Sequence, residues 1–204
     1  MSDLLLYNLT LPDDVKISSV PRENICRWDK EVFVCDIGDA ADHVQRYYLF
    51  YNKWFRLHCG LNRSGAFVPE SPLGTAFHVT SCTPYWTIGM VGYSANLIID
   101  IAVAADGKQH SVTGIENLEA ALIRGWITQA ERDGAIRGFE EALKMVQAGH
   151  LLWYMDQTQS LTRLAPFQEL PPPKTKRLGR VPLMHRDMRH RYFGHRLAPD
   201  ATQV

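Results

Sequence analysis

The alternation of apolar and polar positions falls into two regimes that meet near Val112. Before it, short runs with a period of two predict strands. Residues 30–37 have a β-rich centre ending at Gly38, and 45–59 are dense in aromatics and read as one long strand or two. Residues 60–74 carry Gly, Pro, Asn and Ser and read as a loop, 76–82 as a strand, and 83–92 as irregular. The clearest strand runs from Tyr93 to Ala104, turns at Asp106-Gly107 and returns over 108–112. Residues 1–25, interrupted by Pro12 and Pro21, read as an irregular lead-in with at most one strand.

After Val112 the period becomes helical. Thr113 to Glu116 and Thr128 to Glu131 both fit the Ser/Thr-x-x-Glu capping box. The first predicts a helix with Ile115, Leu118 and Leu122 on one face, stopping at Gly125. The second predicts a helix with Ile136, Phe139, Leu143 and Val146 on one face, stopping at Gly149. Residues 151–167 fit no single pattern. The fold class expected is therefore α+β, mainly β: an antiparallel β-barrel with a C-terminal helical pair. Residues 1–170 are expected to form that domain and 171–204 a Pro-led basic tail.

Composition supports one ordinary globular domain: 204 residues, 46% hydrophobic and 22% charged. Net charge is zero but divided. Residues 1–170 carry 14 Lys/Arg against 20 Asp/Glu, and residues 171–204 carry 8 against 2. Such a tail suits an acidic partner or the acidic body itself. Cys26, Cys35, Cys59 and Cys82 form no C-x-x-C pair and are expected to be reduced. No signal peptide and no spanning apolar run is apparent, so a cytoplasmic location without membrane partners is expected.

Candidate chemistry centres on one carboxylate. In the strand from Asn96 to Ala104, Leu97, Ile99, Ile101 and Val103 share an apolar face, while Asn96, Ile98, Asp100 and Ala102 share the other. Asp100 is the one charge in that strand, and a half-buried carboxylate needs a cation, a metal or donors. It either lines a ligand cavity or is satisfied structurally. Lys53, Arg56, His58 and His78 offer positive charge or proton transfer near neutral pH. On an unbroken strand, Lys53 alternates with Trp54, Arg56 and His58, so they cannot all face one cavity. His58 is more readily a structural histidine. His185, His190 and His195 recur every five residues, which is not a helical metal-ligand spacing.

Lys53-Trp-Phe-Arg56, the strand through Ile99-Asp100, the turn at Asp106-Gly107 and the helix opening after Val112 together resemble the FomD-like family over about residues 45–150. That family includes a cytidylyl-phosphonate hydrolase of fosfomycin biosynthesis and nucleoside tri- and diphosphatases. The resemblance implies a barrel closed by C-terminal helices and divalent metals held by an Asp-x-Asp-x-Asp strand, then an Asp and a Glu after the hairpin. At those positions this chain has Asn96, Ile98, Asp100, Gly114 and Asn117. The aromatic strand before the cluster corresponds to Phe77-His-Val-Thr80. One carboxylate cannot neutralise two divalent cations.

The function expected is a small-molecule enzyme on this barrel, using metal-independent acid–base chemistry such as isomerisation or cyclisation on an anionic or natural-product substrate. Asp100, Lys53, His78 and Tyr93 are the candidate catalytic residues, and Arg56, Asn96 and Trp54 the candidate substrate contacts. No cofactor is expected beyond weak Mg²⁺ or Mn²⁺, held by Asp100 if at all. A homodimer is compatible with the sequence, and nucleic acid is a poor fit because no basic-aromatic motif is present. The alternatives are a metal-dependent hydrolase of a nucleotide or nucleotidyl-phosphonate, and a non-catalytic ligand- or RNA-binding module.

Overall fold

A computed structural model describes residues 3–11, 14–40, 43–69, 74–166 and 170–177. The tail from residue 178, with His185, His190 and His195, lies outside the described residues. The strands are β1 (Leu4–Thr10), β2 (Asp14–Val20), β3 (Ile25–Trp28), β4 (Val32–Ala40), β5 (His43–Phe50), β6 (Phe55–Asn62), β7 (Thr75–Cys82), β8 (Trp86–Ile88), β9 (Val91–Ala104), β10 (His110–Thr113) and β11 (Lys174–Arg177). The helices are α1 (Ile115–Ile123), α2 (Gln129–Gln147) and α3 (Leu151–Thr158). No helix among the described residues is long and apolar enough to cross a membrane.

The strands form one sheet ordered β11-β2-β1-β9-β7-β6-β5-β4-β3, with β8 and β10 also pairing β9. The expected closed antiparallel barrel is corrected on two counts. The terminal strands β11 and β3 do not pair with each other, so the sheet stays open, and β1 runs parallel to β9. Both follow from the length of β9. Its first half pairs β1 on one side and β8 on the other, and its second half pairs β7 and β10. The lead-in expected to be irregular is the β1–β2 hairpin, and the 45–59 run divides into β5 and β6 around a turn at 51–54. The segment 83–92 contributes β8 and the left-open 151–167 stretch contributes α3, so among the described residues three helices lie between β10 and β11.

Alternation along the strands separates two apolar layers. Leu57, Cys59, Phe77, Val79, Ile101 and Val103 face the helices, packing with Ala142, Val146, Leu151 and Met155. The opposite face of β4 and β5, with Phe33, Cys35 and Leu49, packs against Leu4 and Leu6 of β1 and Val20 of β2. Strands so distant in the sheet order meet only because the sheet curls over itself. Thr128 makes both bonds of its capping box with Glu131, as the sequence predicts. The first predicted box does not form. Thr113 is the last paired residue of β10, opposite Asp100, so the helix starts instead at Gly114 with φ 89° and no side-chain cap.

Deep to the helix layer, Asp36 and Arg46 form a wholly buried pair at 2.6 and 2.8 Å. Their remaining hydrogen-bonding capacity is met by backbone of the segment after α3: Arg46 donates to the carbonyls of Ser160 and Arg163, and Ala165 N–H donates to Asp36. A buried ion pair survives only with such additional partners. Here they clamp the chain end across β4 and β5.

Candidate functional site

The polar residues of β5, β6, β7 and β9 form two rows on the face away from the helices. Register places Tyr47, His58, His78 and Ala102 side by side in one row, and Leu49, Arg56, Thr80 and Asp100 in the next. The rings of the first row stack. Tyr47 and His58 have centroids 5.6 Å apart at 17°, and His58 and His78 4.8 Å apart at 7°. At the end of the stack His78 Nδ1 lies 2.7 Å from Asp100 Oδ2, and Thr80 Oγ1 donates to Asp100 Oδ1 at 2.7 Å.

Asp100 is half-buried, which by itself raises a carboxyl pKa. The hydrogen bonds from His78 and Thr80 and the nearby imidazole charge outweigh that and hold it below its ordinary value. An ionised carboxylate only accepts, so His78 Nδ1 carries a proton. In the neutral ring Nε2 is then the acceptor nitrogen. A carboxylate that fixes a histidine tautomer in this way is the pairing used to orient a general base.

One strand away from this pair, His58 and Arg56 line a cavity of about 210 Å³ between the β1–β2 hairpin and β5–β6, and neither His78 nor Asp100 is among its lining residues. Asn8, Lys16 and Ser94 line one side, Tyr47, Arg56 and His58 another, and Tyr85 also reaches it. Five buried polar atoms on this lining have no hydrogen-bond partner among the described residues: Asn8 Oδ1, Arg56 Nε, His58 Nδ1, Tyr85 Oη and Ser94 Oγ. Arg56 is 8% exposed and Tyr85 2%. Arg56 makes no ion pair among the described residues. Burial, then the charges of Arg56 and His78, push the His58 imidazole down to about 3, so it is neutral at physiological pH. Burial also pushes the Tyr85 phenol up, keeping its proton.

The candidate residues read from the sequence separate into groups. Asp100 and His78 form the pair just described, and Arg56 lines the cavity. Lys53 lies on the helix side, paired with Glu141 and 5.7 Å from the Tyr154 ring centroid. Trp54 packs over Gly134 and Gly138 of α2, where any Cβ would collide with it. Tyr93 packs in tilted contacts with the Tyr7 and Trp86 rings, at 5.5 and 5.6 Å between centroids. Asn96 accepts the Ile98 N–H at 2.7 Å. Sequence reading missed Asn8 and Lys16 because the β1–β2 hairpin was read as an irregular lead-in, passed over Ser94 near the start of a strand it did recognise, and missed Tyr85 in the segment read as irregular.

The positions where a divalent pair would need carboxylates do not fit one. Asn96 caps Ile98, and Ile98 is itself in the left-handed region at φ 82°. Gly114, also left-handed, lies so close to the Ile98 carbonyl that no Cβ fits. Asn117 N–H donates to the Gly114 carbonyl at 3.0 Å. These four positions form a backbone knot at a bulge, with register shifting between Thr80 and Cys82. Among the described residues no group of three or more His, Cys, Asp or Glu side chains converges in a way that would hold a metal ion.

No family profile matches the sequence, and no curated protein matches it significantly. Solved structures do. The phosphatase SC4828, in complex with the non-hydrolysable nucleotide GPCP, superposes with a TM-score of 0.58 at 10% identity, covering 83% of this chain and 93% of that one. FomD in complex with CDP gives 0.55 at 10% identity over 78% and 91%. A protein of unknown function, DUF402, from Rhodococcus sp. RHA1 gives 0.50 at 16% identity over 67% and 81%. At these identities what the chain shares with the three is their fold, a distant FomD/DUF402-like architecture built here with an open sheet.

Proposed function

We propose that this chain is a small-molecule enzyme that binds an anionic substrate in the cavity beside Arg56 and moves a proton with the Asp100–His78 pair, without a two-metal centre. The observation that carries the reading is the 2.7 Å contact between His78 Nδ1 and Asp100, one strand away from a cavity whose buried polar atoms lack partners. Ionised Asp100 fixes the ring so that Nε2 accepts, the arrangement a general base requires. Thr80 holds the second carboxylate oxygen, so Asp100 is fixed at both ends. The structural neighbours support a small-molecule enzyme on this fold, since one is a phosphatase and another binds CDP. Lys53 and Trp54 have no part in the proposed chemistry, because they face α2.

Proton transfer is read directly by isotope exchange. The protein is incubated in D₂O with a panel of small phosphonates and carboxylates bearing an acidic C–H, and deuterium uptake is followed by NMR. The expected result is exchange with wild type, loss with Asp100→Asn, and loss with His78→Gln. A second reading, a divalent-metal hydrolase, has the fold likeness in its favour. Strong Mn²⁺-stimulated phosphate release from nucleoside di- or triphosphates, abolished by Asp100→Ala, would replace the proton-transfer reading with that one.

A further inference from the structure

A buried guanidinium without a carboxylate is costly. Leaving a buried charge uncompensated destabilises a protein by several kcal/mol, and the group is retained where a counter-charge arrives from elsewhere. Arg56 is in this position, 8% exposed, with Nε unbonded and no described ion pair. Lys16, across the cavity on β2, is a second cation, exposed at that rim. Tyr85 Oη is a buried donor without an acceptor, and Ser94, 4% exposed, adds a hydroxyl. Neutral His58 supplies a further ring nitrogen, Nδ1, without a partner. Asp100, the nearest acid on this face, is already taken up by His78 and Thr80. The lining thus offers cations and hydroxyl donors and no carboxylate.

Size sets the other limit. The cavity volume is about 210 Å³. It lies below the range of about 300–1,000 Å³ that drug-sized ligands occupy. A base, a ribose and two phosphates need that larger volume. Tyr85 helps set the limit. Its ring and hydroxyl sit against Gly92, where a Cβ would collide with them, and it packs between Phe33 and Tyr51 at 5.4 and 5.3 Å. It is not a side chain that swings aside.

From this we propose that the cavity is a receptor for one compact oxyanion, a phosphate, phosphonate or carboxylate head group on a small body seated on Arg56, and that it does not admit a nucleoside diphosphate. This names the substrate class of the site and rests on the reading of the cavity as the substrate site. A guanidinium presents its donors as a planar fork matched to such oxyanions.

The test is calorimetric titration of the full chain with inorganic phosphate, methylphosphonate, acetate and CDP. Variants are Arg56→Met, Arg56→Lys and Asp100→Asn. Saturable binding of at least one of the three small anions is expected, with CDP at least about tenfold weaker. Arg56→Met should weaken the best anion by about 10- to 100-fold, the loss of charge-assisted hydrogen bonds. If that variant does not fold, Arg56→Lys keeps the charge but loses the fork and should still weaken it measurably. Asp100→Asn should bind the anion within about threefold of wild type while losing isotope exchange, so the two readings fail separately. CDP binding tighter than every small anion overturns the compact-oxyanion inference and leaves proton transfer standing. Absence of binding by any small anion, or unchanged binding in a folded Arg56 variant, overturns it as well.

Discussion

His58 gives the most direct link between the electrostatics of the cavity and a measurable property of the whole protein. It is enclosed between the Tyr47 and His78 rings on neighbouring strands, with Arg56 on its own strand, Lys16 from β2, and Asp100 from β9 beyond His78. Its folded pKa is depressed from 6.5 to about 3. Between those values the unfolded chain binds a proton there and the native state does not, so stability falls as pH is lowered. The cost begins as pH passes below about 6.5 and is complete below about pH 3. At pH 5, 1.5 units below the unfolded value, it amounts to about 2 kcal/mol at 1.36 kcal/mol per unit. For a chain of this length that is a drop in Tm of about 4–8 °C. His58→Phe keeps the stacked ring and removes the titration. Thermal unfolding of both proteins at pH 7.5 and pH 5 should therefore show a fall larger in wild type by that amount, since every other titrating group is common to both. Saturating phosphate should shrink the wild-type excess, because an anion on Arg56 favours the imidazolium. Parallel pH profiles for wild type and variant would refute the assignment of His58 as a buried neutral ring.

Three further outcomes follow from the same geometry. Asp36→Asn leaves Arg46 charged and wholly buried and should destabilise by about 3–5 kcal/mol in urea unfolding, and Asp36→Leu combined with Arg46→Met should not restore stability, because the Ser160 and Arg163 carbonyls and the Ala165 N–H lose their partners. Thr128→Ala removes the hydroxyl that accepts from the Glu131 N–H, one of the two bonds of the α2 capping box, and should cost about 1 kcal/mol, with phosphate titration unchanged. Gly114→Asp restores a carboxylate at a position implied by the family resemblance, but it must adopt φ 89° against the Ile98 carbonyl. Calorimetry should therefore find lower stability and no gain in Mn²⁺ binding.

Much of the arrangement was legible in the chain because it depends on period two. Arg56 and His58 alternate with Phe55 and Leu57, so they share a face whichever way the sheet curls. Asp100 between Ile99 and Ile101 marks itself as the exception in an apolar strand, and Thr128 with Glu131 announces the start of α2. What was not legible depends on register and distance. The His78–Asp100 contact requires β7 and β9 to pair with Thr80 opposite Asp100, and nothing local to either strand fixes that offset. The β1 run Leu-Leu-Leu-Tyr-Asn-Leu-Thr hides its alternation because both of its faces are covered, Leu4 and Leu6 in one cluster and Leu9 in another. Losing β1 and β2 meant losing Asn8 and Lys16, one wall of the cavity. Lys53 and Trp54 were placed by an alternation that does not apply to them, because 51–54 is a turn between β5 and β6.

The knot at Ile98 argues that the departure from the metal-binding pattern is not a set of independent losses. A β-branched residue in the left-handed region costs on the order of 1–3 kcal/mol and persists only where its surroundings hold it. Here they do so from both sides. Asn96 occupies the Ile98 N–H, and the Gly114 backbone presses on the Ile98 carbonyl. Three residues at positions implied as carboxylate ligands are thus partners in one local backbone conformation, and a fourth, Asn117, bonds to it through Gly114. An acid at Gly114 or Ile98 would meet this conformation directly, since the first has no room for a Cβ and the second already holds a left-handed backbone. Asp100 in turn already accepts one hydrogen bond on each oxygen, from His78 and from Thr80. The proposed proton transfer rests on what this face holds: a fixed imidazole, one strand away from a cavity lined by Arg56 and Lys16 and by no carboxylate.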